Sequence, residues 1–343
     1  MSKLKRTVLP LIAILFCISL SGCARMRDAR RPLAEHLENF EKDFLLSGSV
    51  EKQLAALYET SPQWQVFLES ITYESVFGVG NKVEIRYTDT DIPFSEVAVA
   101  QSDSEIKACL ARQMEKCPAA GAIVVTDSEN KEPDISGVCD ELQQEQYLTM
   151  MGFHSLECSF HSNSVTDDLI IKYRCEYSYP ADKLREYRRQ VKTAVKTLSA
   201  SLWTDADDNY TRVRRIHDHI IDHTRYNTDQ DSDIGDHTPY GVFVLGRSVC
   251  EGYTLAARLL LDAAGIENVL VEGTGRGENH IWNMVDLDGR YYHLDVTWDD
   301  PVGQDKETDY KEYDFFLVSD KVMEKDHQWD HHKYPPAPDS YKK

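Results

Sequence analysis

The chain has 343 residues, of which 41% are hydrophobic and 28% charged, an ordinary globular balance with room for two domains. Its formal net charge of −20 excludes a phosphate backbone as partner, because nucleic acid is held by basic surfaces.

The first stretch, MSKLKRTVLPLIAILFCISLSGC, is built as a leader. Lys3, Lys5 and Arg6 form a positive n-region, and Val8 to Leu20 form an apolar core shorter than a bilayer-spanning helix. Residues 1–22 are therefore read as a signal peptide. Leu20-Ser21-Gly22-Cys23 resembles the lipobox of bacterial lipoproteins, which implies lipidation of Cys23 and an anchor on the extracytoplasmic face of the membrane. Residues 23–35 become a tether whose arginines Arg25, Arg27, Arg30 and Arg31 suit anionic headgroups. Loss of the leader leaves the remaining chain more acidic still, so the lipid holds the body at the membrane. Of eight cysteines, Cys17 leaves with the leader. Cys109, Cys117, Cys139, Cys158, Cys175 and Cys250 remain besides the lipidated Cys23. Cys158 and Cys175 could bridge neighbouring strands, and no Cys-x-x-Cys pair suggests structural zinc.

Residues 36–180 read as an α/β region that carries little chemistry. Leu37, Phe40, Phe44 and Leu45 recur at helical spacing. Val83 to Tyr87 and Ile170 to Tyr173 alternate as strands, Ser104 to Met114 predicts a helix, and Asp127 to Asp140, with Pro133 and Gly137, predicts a loop. The character changes at Ala181, where a second domain, residues 181–336, begins; residues 337–343 are a tail. Asp182 to Trp203 predicts one helix, and a second begins after Asp205 with Val213, Ile216 and Ile220 on one stripe. His219 and His223 share a face of it at metal-ligand spacing. A metallopeptidase motif needs Glu directly after the first histidine, and Ile220 stands there, so a zinc peptidase is a distant third reading. Asp229, Asp231 and Asp233 echo a calcium loop, but the Gly and Glu that such a loop requires are replaced by Ile234 and Tyr240.

GRSVCEGYTLAARLLLDAAGI follows. Ser248 and Glu251 fit a capping box, Leu255, Leu259 and Leu260 give the helix an apolar face, and Gly265 suits its end. Cys250 then lies in the first turn, where the helix dipole favours a thiolate; a buried structural thiol is the other reading. Beyond it come Val269 to Val271 as a strand, a turn with Gly273, Gly275 and Gly277, and strands His280 to Leu287 and Arg290 to Trp298. Asp288-Gly289 between them is a hairpin signal. With a two-residue loop, His280 faces Thr297 and Trp282 faces Asp295. His280 and Asp295 become diagonal neighbours on one face, close enough for imidazole and carboxylate to meet. That is the arrangement of a nucleophile, base and orienter.

The blocks SVCEGYTLAARLLLDAAGI, ENHIWNMVDLDGRYYHLDVTWDDP and YDFFLVSD, with IHDHIIDHTRYNTD before and DHQWDHHKYPPAP after, resemble the transglutaminase-like superfamily over residues 205–336. The resemblance implies an α+β fold in which the nucleophile helix packs on an antiparallel sheet, as in papain. It implies Cys250 as nucleophile, His280 as general base and acid, Asp295 as orienter, and the Cys250 backbone N–H in the oxyanion hole. By analogy Tyr240 would supply a second donor, while Trp282 would wall the substrate slot. No cofactor or metal is implied; His327, His331 and His332 are read as adventitious ligands at most. The expected activity is thiol acyl transfer from protein or peptide amides to an amine or water. A cysteine peptidase or amidase of the same fold is the alternative, and a non-catalytic binding module is a further one. The leader generates the first testable outcome: globomycin should cause a larger precursor to accumulate, and an unchanged mobility on gels would overturn lipidation at Cys23.

Overall fold

The computed structural model describes residues 31–88, 90–126, 132–163, 165–228, 234–301 and 311–342. The leader, Cys23 and the acidic positions 229, 231 and 233 lie outside them. No helix among the described residues is long and apolar enough to cross a membrane. The fold is α+β, and the chain divides at Ala181/Asp182 into two compact units.

In the first unit, α1 (Leu33–Glu38) is followed by β1 (Asp43–Leu46) and α2 (Val50–Thr60). The apolar run through Phe44 and Leu45 is a strand, not a continuation of the helix: Phe40, at φ +51, turns the chain after α1. Leu33 and Leu37 are already in the core, and Arg31 makes a two-pronged pair with Glu41. Antiparallel β1, β3 (Gly80–Tyr87) and β2 (Leu68–Val76) form a three-stranded sheet. A crossover follows, β4 (Val97–Ala100), α3 (Asp103–Met114) and β5 (Ala120–Val125), with β4 parallel to β5. The acidic stretch holds a helix, α4 (Ile135–Glu145), where a loop is expected. The Ile135, Cys139 and Leu142 stripe is buried, and the Asp134 side chain caps Gly137 N at 3.0 Å. Strands β6 (Phe153–Ser162) and β7 (Leu169–Tyr177) complete a four-stranded sheet of order β4-β5-β7-β6. Cys158 lies opposite Tyr173, and Cys175 opposite Leu156, so the expected Cys158–Cys175 bridge is not made.

The second unit opens with α5 (Ala181–Ser199) and α6 (Asn209–His223). Val213, Ile216 and Ile220 of α6 are fully buried, together with Leu260 and Leu261 of α7 (Cys250–Ala263). Short β8 (Arg225–Tyr226) and β9 (Arg247–Ser248) pair in parallel just before α7. A five-stranded antiparallel sheet follows, order β13-β12-β11-β10-β14. Its strands are β10 (Asn268–Gly275), β11 (Glu278–Leu287), β12 (Arg290–Leu294), β13 (Phe316–Val318) and β14 (His327–Trp329). The sheet separates two clusters. Val285, Leu287, Leu294 and Val296 pack with α6 and α7, whereas Trp282 and Met284 pack with Val271, Val318 and Met323.

The β11–β12 hairpin has the expected register, Leu287↔Arg290 through Asn283↔Leu294. Asp288 and Gly289 both have positive φ, as a type I′ turn requires. The strand expected to run to Trp298 stops at Leu294, where the ladder with β13 is bulged and residues 296–299 wind into a turn. Gly273 is a strand residue, not part of a turn, because β14 runs so close that a Cβ would strike the Gln328 carbonyl.

Gly252 matters most for the nucleophile helix: a Cβ there would run into Ser248 Oγ and lie within 2.9 Å of the Asp236 and Thr238 carbonyls. Two of those three obstacles are backbone and cannot yield cheaply. Gly252→Ala should lower unfolding stability by about 1–3 kcal/mol, measured by denaturant unfolding; an unchanged midpoint would show that the loop does not press on α7.

Candidate active site

Cys250 is the first residue of α7, half-exposed, at the positive end of a fourteen-residue helix. The expected capping box is absent. Val249 is the N-cap and no side chain caps the helix. Ser248 Oγ instead donates to the Asp236 carbonyl, and Glu251 faces His237 Nδ1 at 3.1 Å. A buried Asp236 explains the diversion: its carboxylate takes Arg247 Nε at 3.2 Å and Asn227 Nδ2 at 2.7 Å, which draws the chain on both sides of the nucleophile together. The first turn's N–H groups are thereby left without a side-chain acceptor of their own.

His280 lies near the start of β11, and Asp295 just beyond β12. The two meet at 2.7 Å, His280 Nε2 donating to Asp295 Oδ2, although the Trp282–Asp295 and His280–Thr297 pairings that suggested this contact do not form. The peeling of the chain after Leu294 carries the carboxylate under the ring. The Cys250 thiol is close enough to His280 for its charge to act on the ring. Since Nε2 is engaged by Asp295, Nδ1 is the nitrogen left for sulfur.

Asp295 is 1% exposed and accepts four N–H donors. Oδ1 receives Thr297 N at 3.1 Å and Trp298 N at 3.2 Å; Oδ2 receives His280 and also His327 Nε2 at 3.1 Å. Burial pushes the carboxyl up, but the charge and hydrogen bond of His280, then those of His327, bring it down to about 2. Burial likewise works against a charged His280, and Asp295 and then Cys250 outweigh it, raising the imidazole to about 9. The pair is an imidazolium beside a carboxylate at neutral pH, one nitrogen away from sulfur.

Two residues of the site were read differently from sequence. Tyr240 stacks on Tyr187 with ring centroids 3.7 Å apart, and the charges that shift its hydroxyl, those of Tyr187, Glu186 and Lys183, all sit on α5. The tyrosine that reaches the nucleophile is Tyr226. Burial and then the Cys250 and Glu278 charges hold the ionisation of its hydroxyl up, which sets it beside Cys250. The β8–β9 pair puts it there, with Tyr226 opposite Ser248. Trp282 is fully buried, its Nε1–H donated to His293 Nδ1 at 2.9 Å, and its ring lies against His280 at 5.7 Å. It backs the histidine rather than walling a slot.

His219 and His223 lie elsewhere, lining a cavity of about 440 Å³ with Val242, Phe243 and Gly246. His223 Nδ1 donates to the His219 carbonyl, and the neighbouring Asp222 is paired with Lys311 at 2.6 Å. Among the described residues, the three-residue group whose ligand atoms could converge on a metal is His280, Asp295 and His327, within 4.8 Å of one another. Both imidazoles already aim Nε2 at one carboxylate oxygen, a geometry that protons satisfy. His331 and His332 are exposed and take no part in it. Sequence reasoning passed over Tyr226 and read His327 as an adventitious ligand rather than a partner of Asp295, although both stand inside quoted blocks, TRYNTD and DHQWD. Their only signal was that a tyrosine and a histidine occupied strand ends.

A model of the transglutaminase-like superfamily matches residues 196–296. The kyphoscoliosis peptidases of Mus musculus and Homo sapiens are each 28% identical to this chain, over 122 and 133 residues. Those matches cover 32% and 34% of this chain but 18% and 20% of the peptidases, so the chain spans about a fifth of these curated relatives. Among solved structures, one described as a TGase is 12% identical with a TM-score of 0.29, covering 63% of this chain and 61% of its own. One from Cytophaga hutchinsonii, assigned as a cysteine protease, is 13% identical with a TM-score of 0.28, covering 43% and 67%.

The His280 imidazole should titrate near pH 9 in side-chain nitrogen NMR. Because its ionisation is raised on folding, the stability it contributes is complete below about pH 6.5 and disappears as pH climbs through about 9. Asp295→Asn should lower the midpoint by about 1–3 units; an unmoved midpoint would mean that the carboxylate does not govern the ring.

Proposed function

We propose that this chain is a thiol acyltransferase acting on protein or peptide amides, a reading supported by the match of residues 196–296 to a model of the transglutaminase-like superfamily. The observation that carries the reading is the half-exposed Cys250 thiol beside His280, whose Nε2 is fixed by buried Asp295.

The chemistry follows from that geometry. The Cys250 thiolate attacks the amide carbonyl, forming a C–S bond as the carbonyl electron pair moves onto oxygen. The oxyanion is met by the Cys250 backbone N–H and by a hydrogen bond from the Tyr226 hydroxyl. His280 gives its proton to the departing nitrogen, the C–N bond breaks, and a thioester remains. An acceptor then loses a proton to neutral His280 as it attacks the thioester, and sulfur leaves as thiolate beside the restored imidazolium. An amine acceptor makes the enzyme a transamidase; water makes it a peptidase or amidase. The acid-rich chain favours cationic acceptors such as lysine side chains. Hydrolysis is the second reading, favoured by the two curated relatives being peptidases. The leader and Cys23 support action at the extracytoplasmic face, from a lipid anchor.

Incorporation of a labelled primary amine into glutamine-containing peptides, followed alongside peptide cleavage, separates the acceptors. Cys250→Ala should abolish both. Tyr226→Phe should reduce kcat by about 10²–10³-fold with little change in KM; full activity in Cys250→Ala would end the proposal.

A further inference from the structure

Asp295 Oδ2 serves two imidazoles, and catalysis as described uses only one of them. His327 lies on β14, at the far edge of the sheet, held opposite Gly275 of β10 and next to Asp326, whose carbonyl accepts Arg276 N. Its ring is caged by Trp298 at 4.2 Å, Trp282 at 5.0 Å and Phe315 at 5.2 Å, and the residue is 1% exposed. An aromatic cage of this kind would be filled at least as well by phenylalanine. The imidazole fills it while leaving its Nδ1 buried without a partner, a disadvantage that an apolar ring would not carry. What the imidazole adds is Nε2–H, and that hydrogen goes to Asp295 Oδ2, 3.1 Å away.

Two donors on one oxygen compete for the same electron density. The hydrogen bond from His327 draws charge from the side of the carboxylate that faces His280. We propose that His327 is a positioning residue that acts through Asp295: it shares the carboxylate oxygen with His280 and so keeps the His280 imidazolium acidic enough to give up its proton to the leaving nitrogen. This rests on the proposed role of the Cys250–His280 pair.

The other ionisable groups around these rings stay in place in the test. Cys250 on α7 acts on His280, and Tyr226 on β8 lies by Cys250 with Glu278 of β11 near it. Asp299 lies near Asp295, His293 of β12 lies near His327, and Arg276 covers Trp298 at 4.7 Å.

The experiment uses the full chain with His327→Phe, which keeps a ring in the cage, and His327→Gln, whose amide can restore one N–H near the Nε2 position. The His280 midpoint is followed by side-chain nitrogen NMR, with no substrate present. The expected result is an upward shift of roughly half a unit in His327→Phe and a return toward the parent value in His327→Gln. On an amide substrate, kcat should fall in His327→Phe with KM little changed, and recover in His327→Gln. A midpoint that stays put or falls in His327→Phe overturns the proposal, as does a His327→Gln midpoint that matches the phenylalanine variant. Should His327→Phe not fold, His327→Gln and His327→Asn decide, since Asn is too short to present its N–H at the Nε2 position and should behave as the unrescued variant. Absence of turnover in the parent chain would sink the acyltransfer reading alone, because the NMR midpoint is read without it.

Discussion

A carboxylate with almost no solvent access is the constraint around which the second unit is organised. Burying Asp295 as a charge would be prohibitive unless hydrogen bonds and an opposite charge replace water. Four N–H groups do so, one of them on the His280 imidazolium, and they come from separate pieces of chain: β11, the turn after β12, and β14. The sheet order β12-β11-β10-β14 is what lets these pieces reach one oxygen pair. Unlike a surface ion pair, this arrangement loses nearly all its value if any single supporting strand moves, so strand packing and site chemistry are coupled.

The turn that carries Asp295 is itself clamped. Asp299 Oδ2 meets His217 Nε2 of α6 at 3.1 Å, and Asp299 Oδ1 accepts Phe315 N at 2.9 Å. Tyr253 of α7 donates to Asp300. Behind the catalytic ring a second relay runs from Trp282 Nε1 to His293 Nδ1, then from His293 Nε2 to Asp320 Oδ1, whose other oxygen accepts Ala337 N. That relay fixes His293 with its proton on Nε2, in keeping with burial pushing its ionisation down. Each polar group here is oriented by another before substrate arrives, the condition under which fixed dipoles stabilise a transition state without reorganising.

How much of this was legible depended on whether a feature was local. The Asp288-Gly289 turn set the hairpin register through purely local chemistry, and the register held for every pair the strand actually makes. Helix α7 was legible from its apolar stripe, but its cap was not. Ser248 and Glu251 had the right spacing for a capping box, and a distant buried aspartate, Asp236, reorganised the segment. The strand after Asp288-Gly289 was drawn too long because alternation continued past Leu294, while the bulge against β13 that ends it is a tertiary event. Tyr226, and the pairing of His327 with Asp295, fell out of view for the same reason. Each sits in a strand of only two or three residues, and nothing local says that parallel pairing with Ser248, or antiparallel pairing with Gly275, will deliver it to the nucleophile or to Asp295.

The exposure gradient across the site constrains how an acceptor can arrive. His280 is 9% exposed, Asp295 and His327 1% each, and Trp282 is closed off entirely, whereas Cys250 stands half-open at the helix end. In the acyl transfer proposed, the open approach is from the sulfur side, past Tyr226, because the opposite side of the imidazole is packed with aromatic rings. The buried trio therefore treats any acceptor alike, offering the same base to whichever nucleophile stands at the thioester. On that reading, discrimination between amine and water is left to the outer rim, where charge acts through solvent. The proposed reading thus separates chemistry, held by buried groups of the sheet, from selectivity, left to the more open sulfur side.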